Sequence, residues 1–465
     1  MIGGIYILTY QDLLAVGDYE ANRMAFISEA IAKHENSALY RTAMVAEDYY
    51  HHLNPTIMNA QKMVYNMMGK AVPDIYSANN KIPSNYYHYF VTQEVQYLLG
   101  NGVSFTSGFD KDKKLGKGFD AAIQEAATRA LNGSVSFGFW NVDHLEVFGV
   151  SKGGSNGTEP VFIPLYDEEN GALRAGIRYW RIDTSKPLRA TMYEENGYTE
   201  YIQRQGENMT VLQEKRPYKI TVRQSAISTE IINGENYPTF PIVPLWNAGH
   251  QSEIIGNRET IDAYDLMASA LVNNIDDGNL IYWVIKNCGG MDDLDDAKFI
   301  ERLKTTHVAH ADGDDGAQVD AHTVEAPYEA NETALERLRN QLFDDFMALN
   351  VKAISGGAAT ATQIKAAYEP LNSKTDQFET EVTKFIDKIL MLAGIDDTPT
   401  YTRSLIINQN EEIQSVLSAA EYLDSEYITK KILDILGDGD KADEVIARMT
   451  DEEANRFAGD IDDGA

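Results

Sequence analysis

The chain has 465 residues, 43% of them apolar, and a single cysteine, Cys288; that length exceeds the size at which one core keeps growing, so several packed units are expected, and one cysteine excludes both an intrachain disulfide framework and an all-cysteine metal site. Its 71 acids against 40 bases leave a net charge of −31, which repels polyphosphate and disfavours tight or sequence-specific DNA binding, while still allowing DNA to pass an acidic wall without being trapped. The start Met1-Ile2-Gly3-Gly4, with acids at Asp12, Asp18 and Glu20, lacks the basic region of a secretory signal, and the longest apolar runs, such as Leu280–Ile285, are far shorter than a membrane span, so a soluble protein of a reducing cytosol is expected.

Residues 1–250 mix aromatic-rich helical stretches with strand signals and read as one α/β unit. Tyr87, Phe90, Val91, Val95 and Leu98 recur at helical spacing, with Gly100 as a stop, which predicts a helix over Asn85–Leu99. Strands follow at Ser134–Trp140, Glu146–Val150, Val161–Tyr166, Ile177–Trp180, Ala190–Tyr193 and Tyr198–Ile202. The pairs Asn170-Gly171 and Asn196-Gly197 fit type I′ hairpin turns, so an antiparallel meander is predicted.

After Pro241–Trp246 the texture changes. Ile261, Tyr264, Ala268, Leu271 and Ile275 form one helical stripe over 251–276, and Leu335, Leu338, Leu342, Phe346 and Leu349 form another over 328–349, opened by a Thr333/Glu336 capping box. The two are expected to lie side by side as antiparallel rods. Between them, 277–327 reads as a small α/β insert: the strand Leu280–Ile285, a turn at Gly289-Gly290, a helix from Asp292–Asp296 through Phe299, Ile300 and Leu303, and a polar loop Asp312–Gly316. Ser355-Gly356-Gly357 interrupts helix, so a loop is predicted at 350–360. A long helix Thr362–Leu392 follows, with Phe378, Val382, Phe385, Ile389 and Leu392 in phase, a kink at Pro370 and Gly394 as cap. From Asn408 onward, 16 acids against 5 bases mark an acidic helical end or tail.

Chemical motifs are absent or out of context. Gly153-Gly154-Ser155-Asn156-Gly157 spells a hydrolase nucleophile elbow, but a strand rather than a helix follows it. Neither Gly69-Lys70 nor Gly116-Lys117 continues into Ser or Thr, so there is no phosphate-cradling loop. Asp312–Gly316 misses the glycine and glutamate spacing of a calcium loop, and His307, His310 and His322 lack a supporting zinc motif. His51-His52 reads as part of a packed cluster, and Lys111, Lys113, Lys114 and Lys117 as the one dense basic patch. No catalytic residue, metal or cofactor is assigned.

The order of these parts resembles the portal family of siphophages and prophages of Gram-positive bacteria. The strings that carry the resemblance are Asn80-Lys81-Ile82-Pro83-Ser84-Asn85-Tyr86 leading to Tyr97–Val103; Ile163–Asp167 with Ile177–Trp180; Phe240–Asn247 running into Ile261–Asp265 and Asn273–Asp277; and Thr360–Lys365. The resemblance covers residues 40 to 395 or so and fades beyond them. The implied fold is an α+β multidomain portal fold: a wing over 1–250 with antiparallel strands, a stem helix over 251–276, a clip over 277–327, a return stem helix over 328–349, a tunnel loop over 350–360, a long kinked helix over 361–394, and a helical crown with acidic tail over 395–465.

The resemblance implies a ring of twelve subunits at one capsid vertex of the virion, assembled from host cytoplasm, through which double-stranded DNA is packaged and ejected. Implied partners are further copies of the chain, scaffolding and major capsid proteins, the terminase large subunit and a head-completion adaptor; no membrane is involved. Val351, Lys352, Ala353, Ile354, Ser355, Gly356 and Gly357 would face DNA, with loose, salt-sensitive contact, and Ile261, Tyr264, Leu271, Ile275, Leu335, Leu338, Leu342 and Phe346 would pack the stem. Lys352 either meets phosphate or pairs with an acid such as Asp345. The alternatives are another virion ring or shell protein, a head-closure or scaffold-like one without an insert between two stem helices, and a hydrolase using Ser155.

Overall fold

The chain enters its first helix through a reciprocal cap. Thr9 Oγ1 accepts from the Asp12 N–H, and the Asp12 carboxylate accepts from the Thr9 N–H, satisfying two of the donors that a helix start leaves open. The computed structural model describes residues 8–65, 69–74, 77–224, 229–278, 282–286, 318–322, 328–354, 361–404, 409–420, 422–436, 441–442 and 444–449. Two compact units emerge: Met1–Val91, Ala126–Val142 and Glu146–Phe346 form one, and Thr92–Glu125, Asp143–Leu145 and Met347–Ala465 the other.

In the first unit, helices Tyr10–Val16, Glu20–Glu35 and Ala38–Tyr50 accompany a five-stranded antiparallel meander of Val161–Tyr166, Leu173–Trp180, Leu188–Glu194, Gly197–Gln203 and Thr210–Arg216, neighbours in chain order. The two-residue side-chain period sends Val161, Ile163, Leu165, Ala175 and Ile177 to one face, where Leu13, Phe26, Ile27 and Ala30 meet them. The intervening residues serve the other face: the Phe162 ring lies 4.6 Å from Phe137 and 5.8 Å from Phe148. Gly176 makes room for that ring, since a β-carbon there would fall 2.1 Å from it. Val135–Asn141 pairs antiparallel with Ile242–Trp246, a strand containing Pro244 that propensity alone does not suggest.

The predicted meander is present, but its turns are not type I′. Gly171 and Gly197 take positive φ, whereas Asn170 and Asn196 do not; the first connection is a longer loop in which the Asp167 carboxylate accepts from Glu169 N–H at 2.9 Å. The strand Thr210–Arg216 and the hairpin Lys219–Gln224/Thr229–Glu235 were not foreseen, being rich in charge and amide.

Two helices, Arg258–Gly278 and Tyr328–Asp345, close the first unit. The former starts seven residues later than the spacing predicts: Gly256 takes φ +85°, and Ile255 and Asn257 bond back in turns, so 251–257 is not helical. The latter starts five residues before Thr333, whose hydroxyl donates to the Glu329 carbonyl at 2.8 Å inside the helix; the predicted capping box therefore does not exist. Between them Tyr282–Lys286 pairs antiparallel with Gln318–His322, from Tyr282 opposite His322 to Lys286 opposite Gln318. Cys288, Gly289-Gly290, Asp292–Asp296, Phe299, Ile300, Leu303, His307, His310 and Asp312–Gly316 lie outside the described residues, as does everything beyond 449.

In the second unit the helix Ala361–Ala393 runs through Pro370, whose missing N–H leaves the Ala366 carbonyl without its usual partner. Phe378, Val382, Phe385, Ile389 and Leu392 are all buried, as their spacing predicts. The helix stops in a Schellman motif: Gly394, at φ +72°, donates to Met391 O, and Ile395 N–H to Leu390 O. Beyond it Pro399–Tyr401 pairs with Val103–Phe105, and Arg403 reaches back to Asp376 and, at 2.7 Å, to Glu379. Gln409–Ser418 and Ser425–Leu436 pack on each other.

Candidate functional site

The helices Arg258–Gly278 and Tyr328–Asp345 lie side by side and run antiparallel, since Thr260 near the start of one donates to Asp345 at the end of the other at 3.1 Å. Aromatic rings fill the seam at that end. Tyr86 meets Tyr264 edge-on at 5.0 Å and Phe343 at 6.4 Å, and Phe90 stacks on Phe346 at 4.5 Å. Such contacts add roughly 0.5–1.5 kcal/mol each beyond area burial.

Of the predicted packing residues, Ile261, Leu342 and Phe346 are buried, Tyr264, Leu271, Leu335 and Leu338 are half-buried, and Ile275 is 49% exposed. The fully buried stripe of the first helix instead runs Ile261, Asp265, Ser269, Asn273, at strict four-residue spacing and mostly polar. These three polar side chains hold the extended segment that precedes helix Tyr86–Leu99. Ser84 N–H donates to Asp265 at 2.9 Å, Ile82 N–H to Ser269 at 3.0 Å, and Asn80 N–H to Asn273 at 2.6 Å. Asn273 returns a bond to Asn80 O, and Asn54, itself buried, joins Asp265 to Ser84 O.

The match is geometric. Two residues of extended chain advance about 6.6 Å, and four helical residues about 6.0 Å, so every second amide meets every fourth side chain. Pro83 sits at an odd position, where no donor is required. Burial raises the Asp265 pKa, a cost offset in part by its bonds to Ser84 and Asn54. One turn earlier Asp262 takes hydrogen bonds from Tyr49 and Thr56 and lies 3.4 Å from Arg258; burial, reinforced by Asp262, pushes the Tyr49 phenol up to about 12.

Two of the strings on which the family resemblance rests, Ile261–Asp265 and Asn273–Asp277, are therefore both hydrogen-bonded to a third, Asn80–Tyr86. The polar i, i+4 triad could have been found by asking why an amphipathic helix carries Asp, Ser and Asn at one angular position beside its apolar stripe.

Away from the seam the return helix is polar: Thr333, Glu336, Arg337, Asn340, Gln341 and Asp344 line a shallow groove of about 430 Å³. Across the two helices ten acids stand against three bases. After Asp345 the helix breaks, Met347 taking φ +51°. Val351–Ile354, predicted as loop, forms a single helical turn with Val351 and Lys352 exposed, while Ser355, Gly356 and Gly357 lie outside the described residues.

The remaining motifs have structural partners. Ser155 donates to Asp48 from both its amide and its hydroxyl, at 2.6 and 2.5 Å, and a β-carbon on Gly154 would press on the same carboxylate; its hydroxyl proton is committed to a carboxylate rather than to an imidazole. Lys111 pairs with Asp120, and Lys114 lies over the Phe109 ring. His51 and His52 are exposed at a helix end, and His51 meets the Tyr50 ring edge-on at 5.4 Å. Among the described residues there is no group of three or more His, Cys, Asp or Glu fit to hold a metal, and no helix long and apolar enough to cross a membrane.

Residues 29–456 match the model of a family described as phage portal protein, SPP1 Gp6-like. The chain is 25% identical over 402 residues to the portal protein of Clostridium phage phiCD119, covering 81% of this chain and 86% of the relative. It is 23% identical over 401 residues to the portal protein of Bacillus phage SPP1, covering 79% and 75%. Among solved structures, chains from the virion and from the neck of an empty gene transfer agent particle match at a TM-score of 0.38 and 9% identity, over 74% of this chain and 88% of each. With the family match spanning nearly the whole length, the chain belongs to the SPP1 Gp6-like phage portal protein family and is a structural protein of the virion, not an enzyme.

Proposed function

We propose that twelve copies of this chain close into a ring at one capsid vertex and form the channel through which double-stranded DNA is packaged and ejected. The observation that carries the reading is the antiparallel helix pair with a hairpin between its members, in a chain of portal family. An insert at that point is what a head-closure or scaffold-like protein would lack. On this reading 258–278 and 328–345 are the stem, 277–327 the clip, 350–360 the channel loop and the acidic C-terminal helices the crown. Ile275 and Leu266, 49% and 45% exposed on the isolated chain, are then positions that a neighbouring subunit covers, which a closed ring provides without leaving an edge.

Scaffolding and major capsid proteins would meet the ring during assembly from the host cytoplasm, the terminase large subunit during packaging, and a head-completion adaptor afterwards. Ten acids against three bases on the stem suit a conduit that must not trap phosphate, and Lys352 would supply a loose contact that salt weakens. Negative-stain microscopy of the protein purified with its scaffolding protein tests the ring: annular particles with a central hole are expected. A chain that stays monomeric under those conditions, while remaining folded, would overturn the proposal.

A further inference from the structure

We propose that Gln93 is a positioning residue, which sets the base of the channel loop by clasping the backbone of Leu349. The inference rests on the portal reading only for the role of the loop; the clasp itself stands on geometry. Gln93 Nε2 donates to Leu349 O at 3.1 Å, and Gln93 Oε1 accepts from Leu349 N–H at 2.9 Å. One side chain thus closes both backbone groups of one residue, as a neighbouring strand would. Only a primary amide of this reach does so: a glutamate lacks the donor, a lysine lacks the acceptor, and asparagine is one methylene short.

The surroundings make Leu349 a fixed point. Its side chain is 3% exposed and packs with Tyr97, Tyr368 and Leu371, the two tyrosines stacking at 5.6 Å. Tyr368 and Leu371 belong to the helix that begins at Ala361, so Leu349 is packed against the second and third turns of that helix. On the N-terminal side the chain has just left its helix: Phe346 N–H bonds Leu342 O at 3.1 Å, and Met347 then adopts φ +51°, a left-handed conformation costly for a residue with a side chain. An anchor at Leu349 falls between that break and the exposed turn Val351–Ile354. Gln93 supplies the anchor two residues ahead of it.

Gln93→Met keeps the length of the side chain and removes both bonds, whereas Gln93→Glu keeps an acceptor for the Leu349 N–H and sets a carboxylate against the Leu349 carbonyl. Limited trypsin digestion of the full chain, with cleavage after Lys352 followed by mass spectrometry relative to cleavage at other Lys and Arg sites, reads the anchor directly. The expected result is a rise of about tenfold at Lys352 in Gln93→Met, smaller in Gln93→Glu, with other sites unchanged. Lys352 cleavage that is unchanged in both variants, or that rises only in step with every other site, overturns the proposal. The digestion is independent of ring formation, so a chain that never forms rings yet shows the Lys352-specific rise would reject the portal reading and keep the clasp.

Discussion

Asp265→Ala removes the central rung of the strap that binds residues 80–84 to helix Arg258–Gly278. The side chain is fully buried and accepts from Ser84 N–H at 2.9 Å and Asn54 Nδ2 at 2.5 Å. Hydrogen bonds to a charged acceptor contribute about 1.5–3 kcal/mol each, and the alanine leaves two buried donors without an acceptor, a gross loss of roughly 3–6 kcal/mol. Burial already opposes the ionised form, as the raised Asp265 pKa records, so part of this is returned when the carboxylate goes; a net destabilisation of about 3 kcal/mol is expected. Ser269→Ala orphans only the Ile82 N–H and should cost about 1–2 kcal/mol. Thermal unfolding measures both, and residue-resolved hydrogen exchange separates the rungs: Asn80, Ile82 and Ser84 should be protected while Lys81 exchanges faster. Each substitution should release its own rung first. Asp265→Ala with an unchanged melting temperature and unchanged Ser84 protection would refute the strap.

Two further outcomes follow from the Ser151–Gly157 loop. Glu47 is buried against it, and burial pushes its carboxyl up to about 7 against the pull of Arg129 and the Ser151 hydroxyl, with Glu159 adding to the rise. A folded-state value above the unfolded one favours the proton, so its burial costs nothing at low pH and a growing amount as pH rises from about 4.5 to about 7, reaching about 3 kcal/mol. Glu47→Gln should therefore be more stable than the parent at pH 8 and nearly equal at pH 4.5, and an equal gain at both pH values in calorimetry would contradict this. Ser155→Ala should cost about 1 kcal/mol through the lost Asp48 bond and alter no hydrolytic activity; loss of an ester-cleaving activity in that variant would reinstate the nucleophile.

The helices of this chain were legible where burial is apolar and periodic. Tyr87, Phe90, Val91, Val95 and Leu98 on one helix, and Phe378 to Leu392 on another, are buried as their spacing demands. The strap was not legible, because Asp265, Ser269 and Asn273 have the composition of a solvent face and acquire partners only from residues nearly 200 positions away. Ile275 shows the converse: an apolar residue in phase with its stripe that the isolated chain leaves exposed. Gly256 delays the start of one helix, and in the other, which begins at Tyr328 as expected, Thr333 is an interior residue rather than a cap. The strand Thr210–Arg216 escaped notice because it carries polar side chains at an edge where water satisfies them.

The span of that strap also dictates a schedule. Its donors at Asn80, Ile82 and Ser84 leave the ribosome 193, 187 and 181 residues before the acceptors that will hold them. At about 5–20 residues per second, the wait is roughly 10–40 s. Throughout that interval the strap of the first unit cannot form. The strap thus closes late, only after Asn273 has been synthesised, so the segment 80–84 must wait for more than half of the chain before it finds its partners.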